Sequence, residues 1–104
     1  MRPIHIAHLD KPRPVLVLTR DLVRPHLRDV TVALITSRVR GLSTEVPVGP
    51  ANGLDQDSVI SCDHVHTIPA DALGRRIGFL LPEQEPALTR ALILAFDLDL
   101  PERL

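Results

Sequence analysis

Ten prolines and five glycines divide this chain of 104 residues into a series of short apolar runs. Proline has a fixed φ and no backbone N–H, so each one ends a helix, sits in a helix's first turn, or is confined to a strand start, an edge or a turn. Many short apolar runs at this spacing predict a small β-barrel. Ile4–Leu9 reads as a first strand, with Ile4 and Ile6 on one face and His5 on the other. Arg13–Thr19 and Val30–Thr36 are almost wholly apolar and read as central strands buried on both faces. Between them, Asp21–Leu27 is a connection with room for one helical turn, limited by Pro25. Thr44–Val48 is a short strand stopped by Gly49-Pro50, and Asn52-Gly53 is a turn signal. Ser58–Cys62 and Val65–Ile68 are two strands, or one strand with a bulge between them. Gly74 and Gly78 flank a last strand that runs to Leu81.

The pattern changes after Glu83. Leu88, Ala91, Leu92, Ala95 and Phe96 recur at helical spacing and predict one apolar face of a helix over 83–98. Pro86 fits only in its first turn, and Glu83 and Glu85 suit its positive end. Ile93 and Leu94 widen the apolar arc, so the helix is expected to be covered on more than one side. The fold class expected is therefore mainly β with α: one domain over 1–104, a small barrel with a C-terminal helix.

Apolar residues make up 44% of the chain, enough for a core and too many for disorder. Nothing at the N-terminus resembles a signal peptide, no run approaches a membrane span, and the lone Cys62 suits a reducing cytoplasm. The net charge of −1 hides an asymmetry. Residues 1–45 hold eight basic against four acidic side chains, a balance of +4; residues 46–104 hold four against nine, a balance of −5. Nearly every cation is arginine, whose fork binds phosphate oxygens two at a time. Tyr and Trp are absent, so any RNA contact must use arginine planes, imidazoles or backbone rather than an aromatic platform.

Two constellations carry chemistry. Arg13 opens one central strand and Thr36 ends another, with Ser37 and Arg38 beside it. A cation and a hydroxyl at one rim make a phosphate site, and a solvated charge with a satisfied strand-end hydroxyl is the plainer alternative. Cys62, His64 and His66 alternate, so on a regular strand they face one way as metal ligands would. No later histidine completes such a set, and no metal is expected. The chain also lacks a P-loop, a dinucleotide fingerprint, a nucleophile elbow and paired zinc-ligand spacing.

In order along the chain, these segments resemble the MazF/PemK family of RNA-cutting toxins, and its mycobacterial branch in particular. The segments are Arg13-Pro14-Val15-Leu16-Val17-Leu18-Thr19, Val32-Ala33-Leu34-Ile35-Thr36-Ser37, Glu45-Val46-Pro47-Val48, Asn52-Gly53-Leu54, the run from Val59 to Ile68, and Leu73–Gly78 before the helix. The usual opening strand and following loop are shortened here, leaving only Asp10-Lys11-Pro12 before Arg13. Where many relatives have Asp-Gln, this chain has Asp63-His64.

The resemblance implies an SH3-like or CcdB-like barrel acting as a homodimer. It implies a sequence-specific endoribonuclease that cuts single-stranded RNA by 2′-OH transesterification without metal or cofactor. Arg13 and Thr36 carry over as the catalytic pair. Ser37, Arg38, Arg40, Asp63, His64 and His66 are the RNA-binding candidates, while Arg75 and Arg90 are expected away from the groove. The implied partners are RNA and a cognate MazE-like antitoxin, with no membrane. A non-catalytic, CcdB-like protein-binding toxin of the same fold is the alternative, and such a protein has no need of the Arg13–Thr36 pair.

Overall fold

The computed structural model describes residues 1–21 and 23–99; Leu22, within the predicted 21–27 connection, lies outside the described residues. Among the described residues, six strands form one antiparallel sheet: β1 (Pro3–His8), β2 (Pro12–Val17), β3 (Asp29–Thr36), β4 (Glu45–Val48), β5 (Ser58–Pro69) and β6 (Leu73–Phe79). Their spatial order is β4-β5-β3-β2-β1-β6. The helix α1 (Glu85–Ala95) follows a 3₁₀ turn at Pro82–Gln84. The runs read as central strands are central: β2 and β3 pair with each other in the middle of the sheet.

Their side chains alternate between two cores, which is why almost no polar residue interrupts them. Leu16, Ala33 and Ile35 join Ile4, Ile60 and Leu80 beneath Leu88 and Ala91 of α1. Val15, Val17, Val30 and Val32 join Ala7 and Ile68 on the other side.

The two candidate strands at 58–68 are one strand with a bulge. Ala33 of β3 pairs with Val65 of β5, but the next residue, Leu34, pairs with Ser61, so residues 62–64 are extra on the β5 side. A bulge bends a strand and re-aims its side chains. This one breaks the expected alternation of Cys62, His64 and His66. Cys62 is buried in the core beneath α1, while His64 and His66 are exposed.

The two ends of the sheet are brought together by the segment after β4. Pro50–Asn52 form a 3₁₀ turn, and Gly53 follows in the left-handed region at φ 88°. A Cβ on Gly53 would lie 1.9 Å from the Ile77 carbonyl oxygen, and one on Gly78 would lie 1.9 Å from that of Asn52. Only two glycines permit this backbone-to-backbone approach. Asn52 locks it: its buried amide donates to the Phe79 carbonyl (2.9 Å) and to Gln84 Oε1 (2.6 Å), and its Oδ1 accepts from the Gly49 amide (3.1 Å).

The helix departs from expectation at its end. It buries Leu88 and Ala91 but stops at Ala95, and Leu94, Phe96 and Leu98 are each more than half exposed. Phe96 is thus not on the buried face, and of the two residues that widen the apolar arc, Ile93 is half-buried and Leu94 exposed. Among the described residues, no helix is long and apolar enough to cross a membrane.

Candidate active site

Arg13 and Thr36 meet because of strand register. Val15 pairs with Leu34, and Leu16 with Ala33. Carried two residues further, this register sets Arg13 across from Thr36, so their side chains leave the same face. Both line a cavity of about 390 Å³ on one side and one of about 500 Å³ on the other. Ile35 lines both cavities from the core beneath, and Lys11 lines both from the β1–β2 connection.

The guanidinium is held in place. Asp10 accepts from Arg13 Nε and from a terminal nitrogen, each at 3.0 Å, in a side-by-side ion pair. Hydrogen bonding to Arg13 lowers the Asp10 carboxyl from its ordinary 3.8 to about 2. The same bond raises Arg13 further above its already high value. Arg13 is therefore a permanent cation with a fixed plane, suited to phosphate and unsuited to proton abstraction. Thr36 Oγ1 accepts the Arg38 amide at 3.1 Å, which leaves its own O–H to donate elsewhere.

The other sequence candidates divide between the two cavities. Ser37 lines the first, with Asp55, Gln56 and Arg75. Arg38, Arg40, Asp63 and His64 line the second, with Glu45 and Ser61. Asp63 accepts from the Thr44 hydroxyl at 2.6 Å. His64 Nδ1 shares a 2.8 Å hydrogen bond with Ser61 Oγ, so only Nε2 is uncommitted. His66 lies beyond the bulge, paired with Val32, and lines neither cavity. Among the described residues, no three of His, Cys, Asp and Glu come together as a metal-ligand group. Burial pushes the Cys62 thiol up to about 11.

Arg75 corrects the sequence reading. Expected away from the groove, it projects from β6 into the cavity that holds Arg13 and Thr36. Gln56 and Lys11 were also missed. Lys11 had a usable signal, two residues before Arg13 in a short connection. Arg75 had none, because its neighbourhood depends on the Gly53–Gly78 contact between distant segments. The basic excess of residues 1–45 is likewise not one patch. Lys11, Arg13, Arg38 and Arg40 gather here, whereas Arg2 pairs with Glu85 and Arg24 with Asp21.

The sequence and fold match those of known proteins. Residues 3–96 match the family model described as the PemK-like, MazF-like toxin of type II toxin–antitoxin systems. Endoribonuclease MazF3 of Mycobacterium tuberculosis (strain ATCC 25618 / H37Rv) is 68% identical over 99 residues, covering 95% of this chain and 96% of the relative. The solved structure of the Mycobacterium tuberculosis toxin MazF-mt6 superposes with a TM-score of 0.93 at 67% identity, over 95% of this chain and 100% of that one. A mycobacterial endoribonuclease solved with its cognate antitoxin superposes at 0.85 with 26% identity, over 95% of each chain. With the family model spanning nearly all of the strands and helix described above, the chain belongs to the PemK-like, MazF-like toxins of type II toxin–antitoxin systems.

Proposed function

We propose that this chain, an endoribonuclease toxin of its family, binds single-stranded RNA across the two cavities and cleaves it at a phosphate seated between Arg13 and Thr36. The juxtaposition of that pair, with an open cavity on each side, carries the reading. A strand of RNA passing the pair places one flanking nucleotide in each cavity. The ribose 2′-OH gives up its proton to solvent and attacks the adjacent phosphorus, the P–O5′ bond breaks, and the departing 5′ oxygen takes up a proton, so that a 2′,3′-cyclic phosphate and a 5′-OH result. The nucleophile belongs to the substrate, so the protein's tasks are alignment, charge stabilisation and proton movement. Arg13 faces the charge on the phosphoryl oxygens. Thr36 donates its free O–H to one of them. The non-catalytic, CcdB-like alternative gives no role to a guanidinium and hydroxyl arranged in this way.

The same reading gives the toxin, one domain over 1–104, two protein partners in the cytoplasm. One is a second copy, for which the uncovered apolar residues at the end of α1 supply surface. The other is an acidic, MazE-like antitoxin segment, which the cations of the cleft attract. The antitoxin-bound mycobacterial relative supports that partner.

The test is incubation of the purified protein with a long single-stranded RNA in excess EDTA, followed by end mapping. Cleavage at defined sequences with cyclic phosphate and 5′-OH ends is expected. Uncut RNA, or activity that chelation removes and Mg²⁺ or Zn²⁺ restores, refutes the mechanism.

A further inference from the structure

Of the carboxylates in the cleft, which Asp63 also lines, Glu45 is the one whose hydrogen bonds explain its place. Glu45, the first residue of β4, lines the same cavity as Arg13, Arg38 and Arg40. A negative charge beside a phosphate path repels RNA. Its hydrogen bonds supply the reason for its presence. The two carboxylate oxygens accept the Arg40 amide at 3.2 and 3.3 Å, and Oε1 also accepts the Leu42 amide at 3.0 Å. The Glu45 amide in turn donates to the Leu42 carbonyl at 3.1 Å. Gly41, between the two bound amides, takes φ 75°, which lets the chain wrap the carboxylate. The opposite end of the loop is fastened where the Arg38 amide reaches Thr36 Oγ1.

We propose that Glu45 is a positioning residue for RNA. Its carboxylate does not touch substrate. It ties down the 37–44 loop, so that Arg38 and Arg40 stay on the cavity wall beside Arg13. This inference rests on the RNA-cleaving reading above.

Two competing effects have opposite signs, which makes the assignment testable. Removing a like charge from the path tightens RNA binding. Releasing the loop weakens it, because Arg38 and Arg40 must then be ordered when RNA binds. Steady-state cleavage of a fluorogenic single-stranded RNA by the full chain, its Glu45→Ala and its Glu45→Gln forms, separates them. Loss of the amide bonds in Glu45→Ala should raise KM about tenfold, with kcat changed less than about threefold. Glu45→Gln keeps one carbonyl acceptor on the same stem and should stay within about threefold of wild type in KM. A KM for folded Glu45→Ala at or below that of wild type overturns the proposal. Amide hydrogen exchange on the wild-type protein tests it without any variant. The Arg40 and Leu42 amides should be protected relative to the neighbouring exposed loop, and unprotected exchange at both also overturns it. A wild-type chain that cuts no RNA, yet protects both amides, would refute the enzymatic reading while leaving the loop tether in place.

Discussion

Replacing Arg75 by alanine should weaken RNA binding and flatten its dependence on salt. Among the described residues, five cations line the two cavities: Lys11, Arg13, Arg38, Arg40 and Arg75. Each cation that neutralises a phosphate of a single strand contributes about 0.7 to the slope of log K against log salt. With all five engaged the slope is about −3.5 per chain, and without Arg75 it is about −2.8. Between 50 and 200 mM salt, wild type then loses roughly 130-fold in affinity and the variant roughly 50-fold. Fluorescence anisotropy measures this directly, using a labelled single strand of 2′-fluoro nucleotides, which lacks the attacking hydroxyl. The matched control is Arg90→Ala, on α1 and lining neither cavity, whose slope should equal that of wild type. A salt slope and Kd for Arg75→Ala indistinguishable from wild type would refute the placement of β6 in the RNA path.

Further substitutions probe the pair, its anchor and the closure of the fold. Arg13→Ala should lower kcat by about 10²–10³, since it removes the cation facing the developing charge. Arg13→Lys should recover little, because one ammonium cannot reproduce the fork. Wild-type turnover by folded Arg13→Ala would reject the role. Carboxyl ¹³C NMR should place the Asp10 midpoint at about 2 in the wild type, moving towards 3.8 in Arg13→Ala. The folded value is the depressed one, so any stability from this exposed pair is complete above pH 3.8 and fades as pH falls towards 2. A midpoint unchanged by Arg13→Ala would show that the pair does not form in solution. Gly53→Ala should destabilise the fold by about 3 kcal/mol or more, from left-handed strain and disruption of the buried Asn52 bonds. Urea unfolding must be followed by circular dichroism, because the chain has no Trp or Tyr. A loss under about 1 kcal/mol would mean that the Gly53–Gly78 approach is not closed in solution.

The strands were readable in the sequence because their cause is local. Val15-Leu16-Val17 and Val30 to Ile35 lack the polar alternation of a half-exposed strand, and burial on both faces is the arrangement that tolerates this. The same holds for the start of α1, where Pro86 and helical spacing act over one turn. Arg13 and Thr36 were readable as a pair only through their motifs; the reason they meet is the β2–β3 register, a relation between strands. Tertiary structure alone decided the rest. The sequence marks a break between Cys62 and Val65, but only pairing with β3 decides that it is a bulge, which sends Cys62 into the core while His64 stays exposed in the cleft. The single chain also leaves Phe96 exposed despite its helical spacing, because α1 ends one residue earlier. Arg75 reaches the cleft because Gly53 and Gly78, 25 residues apart, pack backbone to backbone. Periodicity reports which side of its own element a residue faces. Which distant element lies opposite is set by register, bulges and sheet curvature, all of which arise from pairing between remote parts of the chain.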